Sequence, residues 1–344
     1  MVLANGAEGE PLSYKDRVLM TFRPHLVLDG AILAAEAVGA DEIVLYVGGE
    51  HEAAVRAISG AARERAAGTR QRLRIVPAPI GYVAGEATAA VHFVNDRDAR
   101  PVTTPPRVSE RGVEGRPTLV QNVESLAMAA LIARFGERWY RSAGLGGAHG
   151  SGLITVSIDG QDPVVREIEL GTTVGTIARA AGLAVDDVQS VLVGGYFGTW
   201  APAREAWDLP LDPEVMDAAG LAFGCGMVVL LPADRCGVRV TASILGFMAR
   251  ESAQQCGPCL FGLRALADAA GRIAAGAAHE DDLARLERSP ALLAGRGACH
   301  HPDGAVQLLS SALANFGDEV AFHARRRRCS IDQPLARVTR AGVS

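Results

Sequence analysis

Cys256 and Cys259 stand close together in ESAQQCGPCLFG, residues 251–262, and Cys299 follows in a second turn-like stretch, AGRGACHHPDG. Gly257 and Pro258 bend the backbone between the first two, so both sulfurs can address one point. Two near thiolates and a third from a distant segment suit a soft metal or an iron–sulfur cluster, which takes sulfur ligands from several stretches of chain. A C-x-x-C by itself equally describes a redox pair or two neighbouring core thiols. A regular C-x-x-C-x-x-C would carry cysteine at position 253, and the residue there is Ala253. His300 or His301, beside Cys299, could fill the vacant ligand place, as could water or a non-protein thiol. Cys225, Cys236 and Cys329 lie outside this pattern and read as core or terminal thiols.

The elements that must position these thiols come from the apolar pattern. With 344 residues the chain has room for two or three domains with ample core. A net charge of −5 and 5% aromatic residues give neither the electrostatic attraction nor the stacking surface that nucleic acid requires. Six unevenly spaced cysteines do not form a secreted disulfide framework. The opening residues, MVLANGAEGEP, lack a basic stretch followed by an apolar one, and no uncharged apolar run reaches bilayer length. The expectation is a cytoplasmic chain with no direct membrane insertion.

Residues 2–4 read as a short buried strand running into the acidic turn NGAEGEP, the kind of place where open α/β sheets hold ligands. Helical periodicity over 24–39, an apolar strand over 42–48, a helix over 51–65 and a strand over 73–77 predict βαβ units with a mainly parallel sheet. In GYVAGEATAAVHF, residues 81–93, the glycines could admit a flat ligand with Glu86 as anchor, although as an isolated pattern they are better explained by packing. Residues 101–117 are a Pro/Arg/Gly-rich loop, and a helix runs from about Asn122 to 135. A Gly-rich hinge at 136–151 marks a domain boundary. Beyond it, strands at 153–158 and 164–170, a helix capped by Thr172 or Thr173, and strands at 191–193 and 227–231 suggest a small β-grasp-like unit. Helices over 239–250, 260–275, 280–288 and 304–322 then make a bundle, with Cys256, Cys259 and Cys299 at or between helix ends. The run Arg325–Arg328 reads as a solvated helix end.

Taken together, these stretches resemble the NADH-binding flavoprotein subunit of respiratory complex I and its relatives in hydrogenases and formate dehydrogenases. NGAEGEPLSYKDRVLM is similar to that family's acidic flavin-and-nucleotide loop, GYVAGEAT to its G-Y/I-x-C-G-E-E-T, and GRPTLVQNVESLA to its G-K-P-T-V-V-N-N-V-E-T-L-A. ESAQQCGPC with the later GRGAC resembles its E-S-C-G-x-C-x-P-C motif and fourth cysteine. The likeness is collinear over about residues 1–329.

It implies an α/β and α multidomain protein. Residues 1–140 would form a Rossmann-like FMN/NADH domain, 150–232 a ubiquitin-like β-grasp (SLBB-type) domain, and 233–329 a C-terminal four-helix iron–sulfur bundle. In that family NADH passes a hydride to FMN, which sends single electrons to a 4Fe-4S cluster and on to other electron-transfer subunits or a ferredoxin-like protein. By position Asn5, Glu8, Tyr82, Gly85, Glu86 and Asn122 would contact the flavin, and Glu10 would face NADH. Cys256, Cys259 and Cys299 would hold the cluster.

Several positions depart from the pattern. Ala7 replaces the acidic-loop Asp, Ala87 the second Glu of G-E-E-T, Gln121 the first Asn of N-N-V-E, and Ala253 a cluster cysteine. The family's Gly-rich phosphate loop lies upstream of Met1. The expectation for this sequence is therefore weak FMN binding and negligible NADH oxidation by the polypeptide alone. Its function would be that of an electron-carrying subunit with impaired flavin and NADH sites, or that of a scaffold relative that keeps the fold without the chemistry.

Overall fold

The computed structural model describes residues 1–331, which divide by contact into two compact units. Among the described residues the first comprises Met1–Gly9 and Tyr14–Ala143; the second comprises Glu10–Ser13 and residues 144–331.

The first unit is built on four strands: β1 (Val2–Gly6), β2 (Glu42–Gly48), β3 (Arg72–Ala78) and β4 (Leu119–Asn122). All pair in parallel, in the order β3-β2-β1-β4. β2 is buried along its whole length, as its apolar run requires for a strand covered on both faces. The helices are α1 (Lys15–Phe22), α2 (Pro24–Ala37), α3 (Glu52–Arg65), α4 (Ala87–Asp96), α5 (Val123–Phe135) and the short α6 (Glu137–Arg141). Strand order reverses at β1, so the chain leaves β1 and β4 on opposite sides of one crevice at the carboxyl edge. Register sets Asn5, near the end of β1, level with Asn122, the last residue of β4.

In the second unit β5 (Ser151–Ile158) and β6 (Val164–Glu169) form an antiparallel hairpin, followed by α7 (Val174–Ala180). β7 (Val188–Val193) pairs antiparallel with β8 (Thr199–Pro202), the short α8 (Ala203–Ala206) and α9 (Pro213–Ala218) follow, and β9 (Met227–Pro232) returns to the centre. The order is β6-β5-β9-β7-β8, with β9 parallel to β5 and antiparallel to β7. Its core packs Ile154, Val174, Ile177, Val191, Met216 and Leu230. The β8 strand was not among the expected elements.

Four helices complete this unit: α10 (Gly237–Arg250), α11 (Arg264–Ala274), α12 (Asp282–Leu293) and α13 (His301–Arg326). The expected helix over 260–275 is two elements, because Pro258–Leu263 winds as a π-helical turn before α11 begins. No single helix among the described residues is long and apolar enough to cross a membrane; α1 and α2 reach that length only together, bent by 97°.

Within the bundle Arg272 forks onto the buried carboxylate of Asp282 through Nε–Oδ2 at 2.8 Å and Nη2–Oδ1 at 2.6 Å, while the His279 amide donates to Oδ2. The guanidinium holds the Asp282 carboxyl down at about 2 against burial, which acts the other way. A depressed carboxyl favours the fold above its unfolded value near pH 4, and the contribution disappears as pH falls through about 2. The expected result is an acid-dependent loss of about 2 kcal/mol over that window that Asp282→Asn lacks. Denaturant melts at stepped pH check it: parallel wild-type and variant profiles would refute the assignment.

Candidate functional site

At the carboxyl edge of the parallel sheet the side chains expected to meet a flavin are engaged with the chain itself. Asn5 Nδ2 donates to the Gly85 carbonyl at 2.8 Å and its Oδ1 accepts from the Ala7 amide. Glu8 accepts from the Asp16 and Arg17 amides at the start of α1 and pairs with Arg17 Nε at 3.0 Å. Glu86 is the N-cap of α4, where Oε2 accepts from the Ala89 amide and Thr88 Oγ1. Asn122 caps α5 through Oδ1, and its Nδ2 donates to Asp16 Oδ2 at 2.7 Å. Tyr82 and Gly85 lie in a single 3₁₀ turn, Tyr82–Gly85.

That turn lies against the loop after β1. A Cβ on Gly9 would stand 2.4 Å from the Tyr82 carbonyl oxygen, and one on Gly85 would stand 2.7 Å from that of Ala7. Gly85 of G-x-x-x-G-E, together with Gly9, therefore lets two backbone segments touch, which is the packing role the sequence allowed for that glycine. The arrangement still fits a flavin. Asn5, Glu86 and Asn122 gather half-buried at the switch-point crevice, Asn5 Nδ2 keeps a second N–H, and both contacts to Glu86 fall on Oε2, while Asn122 Nδ2 spans Asp16 Oδ2 and the Asn5 carbonyl.

Beneath the crevice runs a buried charge network. Lys15 Nζ bridges Asp16 Oδ1 at 2.7 Å and Glu124 Oε2 at 2.8 Å, with the lysine side chain 8% exposed. Burial acts to neutralise this ammonium; the Asp16 and Glu124 charges outweigh it and raise the Lys15 pKa.

Glu10 belongs to the second unit. Its Oε2 accepts from the Tyr196 amide at 2.9 Å, in the GGYFG loop between β7 and β8. Burial, with Glu10, Asp159 and Cys225 nearby, drives the Tyr196 hydroxyl far above its ordinary pKa, so it stays protonated.

The three cysteines converge at one end of the bundle. Cys256 follows α10, Cys259 is buried in the π-helical turn, and Cys299 immediately precedes α13. Burial pushes the Cys259 thiol up to about 12, and the neighbouring Cys256 and Cys299 push in the same direction. Ser252 is buried next to them, bonded to the Ala249 carbonyl at 3.0 Å. Gln254 adopts the left-handed φ of 50° at the place where the resembled motif has glycine. Three soft donors from two separate loops fit a cluster.

The two histidines turn to other partners. His300 is almost wholly exposed and meets Asp303 at 3.2 Å. His301 is buried, with Nε2 2.8 Å from the Met248 carbonyl and its ring edge-on to Phe197. His301 thus ties the start of α13, beside Cys299, to the last turns of α10, beside the C-x-x-C.

One group was missed entirely. Cys236 and Cys329, expected as separate core and terminal thiols, meet Glu319 and His323, and the four ligand atoms lie within 4.8 Å of one another. The E-x-x-x-H spacing on one helix face was the available signal. Cys225 remains a thiol of the β7–β8 region, its Sγ donating to Gly194 O at 3.5 Å. Arg325–Arg328 are exposed, as expected.

Known proteins share this arrangement. Residues 1–130 match the Nuo51 FMN-binding domain, and residues 239–323 match the NADH-ubiquinone oxidoreductase-F iron-sulfur binding region. The F 2 subunit of NADH-quinone oxidoreductase in Rhizobium meliloti (strain 1021) is 30% identical, over 94% of this chain and 80% of its own length. The F subunit of the Escherichia coli (strain K12) enzyme is 29% identical over 92% and 75%. An air-oxidized NAD+-reducing [NiFe]-hydrogenase superposes with a TM-score of 0.85 at 31% identity, over 94% of this chain. The chain spans only 56% of that hydrogenase chain. With an FMN-binding domain at one end, an iron–sulfur binding region at the other and an F subunit matched along nearly the whole length, this chain belongs to the family of NADH-quinone oxidoreductase F subunits.

Proposed function

We propose that this chain is an electron-transfer oxidoreductase subunit whose cluster is held by Cys256, Cys259 and Cys299 with an exchangeable, non-protein fourth ligand. The convergence of these thiols at one end of the bundle carries the reading. In the same reading the first unit is a Rossmann-like flavin domain, and the β6-β5-β9-β7-β8 sheet, with its hairpin and crossing helix, is a β-grasp domain ahead of the four-helix bundle. FMN, when bound, supplies a two-electron acceptor for hydride and a one-electron donor for the cluster.

The chain's own part is positioning. Asn5, Glu86 and Asn122 present amide and carboxylate groups at the crevice, and helix capping fixes the rotamers of Glu86 and Asn122. Buried Cys259 sits away from water, which protects a cluster from hydrolysis. Ala87, the first residue of α4, has no carboxylate to offer a nucleotide, so NADH turnover is expected to be slow. Electrons would leave to a partner subunit or ferredoxin-like protein, as in the multisubunit assemblies of the relatives.

Anaerobic purification followed by iron, acid-labile sulfide and flavin determination tests this. Stoichiometric iron and sulfide are expected, with FMN retained only weakly. A chain that stays free of iron, sulfide and flavin after reconstitution would be a scaffold that has kept the fold and lost the chemistry.

A further inference from the structure

The second thiol cluster lies wholly within the helical bundle and plays no part in the function above. Cys236 is the residue before α10, where burial pushes its thiol up to about 12. Glu319 and His323 stand one turn apart on α13 with Oε1 and Nε2 3.0 Å apart. His323 is fully buried; its Nδ1 lies 3.2 Å from the Ile273 carbonyl of α11, and its Nε2 lies 3.5 Å from Cys236 Sγ. Arg327 ends α13 in the left-handed conformation, φ 54°, and turns the chain back so that Cys329 joins the group. Ser330 fastens that return, with Oγ 2.7 Å and N 3.3 Å from Glu319 Oε1.

We propose that Cys236, Glu319, His323 and Cys329 form a structural site for a zinc-class divalent cation. Tetrahedral coordination at about 2.0–2.3 Å sets neighbouring donors about 3.3–3.8 Å apart, so a group already within 4.8 Å closes on an ion by small side-chain movements. Two sulfurs, an imidazole and a carboxylate are a donor set suited to zinc, and the harder cations are poorly served by it. The Ile273 carbonyl fixes the proton on Nδ1 and leaves the Nε2 lone pair facing the thiols, the outer contact that metal-bound histidines usually have. Binding forms two metal–sulfur bonds and releases the two thiol protons to solvent; no electrons move. The ion would staple the start of α10 to the end of α13, closing the bundle at the end opposite the C-x-x-C.

The test uses the full untagged chain, anaerobically reconstituted with iron and sulfide, reduced, and dialysed against Zn2+ alone. Elemental analysis should find one zinc per wild-type chain. Cys329→Ser, at a half-buried position beyond the last helix, should lose that zinc and keep its iron and sulfide. Co2+ in place of Zn2+ should give the intense visible bands of a tetrahedral thiolate site in wild type, and these should vanish in Cys329→Ser and in His323→Gln. Equal zinc in wild type and Cys329→Ser overturns the proposal. So does a reduced wild-type chain that takes up no zinc, or one in which Cys236 and Cys329 form a disulfide in preference to binding it.

Discussion

Ala253→Cys is expected to abolish a three-iron EPR signal that the wild-type chain develops on mild oxidation. With thiolates from Cys256, Cys259 and Cys299 only, one iron of a four-iron cluster has a weak exchangeable ligand and leaves first. Ala253 is half-buried beside Ser252, within the turn that leads from α10 to Cys256, so a thiol there enters the same pocket. His300 and His301 are committed to Asp303 and to the Met248 carbonyl, which leaves the vacancy to a non-protein ligand. Cys259→Ser should go further and prevent assembly, with iron and sulfide near zero, because it removes the buried donor of the set. A three-iron signal of equal intensity in wild type and Ala253→Cys would show that position 253 does not face the cluster.

Lys15→Ala should cost about 3–5 kcal/mol of stability, read as a shift of the urea midpoint. Removing the ammonium leaves the buried Asp16 and the half-buried Glu124 close together with no cation between them. A surface pair would be worth under about 1 kcal/mol, but an 8% exposed lysine between two carboxylates is not a surface pair. The damage should extend to flavin. Asp16 also holds Asn122 Nδ2, so the amide presented at the crevice loses its orientation, and retained FMN should fall together with stability. A midpoint within about 1 kcal/mol of wild type would mean that the network is hydrated and contributes little.

Much of this was readable in the chain. β1 and β2 are short apolar runs without alternation, the pattern of strands covered on both faces, and their parallel pairing follows from the helices between them. The C-x-x-C and the distant Cys299 pointed to a multi-segment thiol site by residue type and spacing, with a redox pair as the competing reading. α4 was obscured because its cap is Glu86, a residue type rarely read as a helix start, inside a stretch whose glycines drew attention instead. β8 escaped notice because it is a four-residue edge strand ending at Pro202. The capping and ion-pair roles of Glu8, Glu86 and Asn122 depend on where α1, α4 and α5 begin, to within one residue, and sequence patterns do not resolve element ends that finely.

The meeting of Cys236 with His323 and Cys329 was invisible for a related reason, since its first pair is 87 positions apart. The same distance has a consequence during translation. A ribosome adding about 5–20 residues per second needs roughly 4–17 s to travel from Cys236 to His323. Throughout that interval the start of α10 has been synthesised while the helix that buries its thiol is absent or incomplete. Oxidant stress acting on nascent chains should therefore mark Cys236 more heavily than on the finished protein, where α13 covers it.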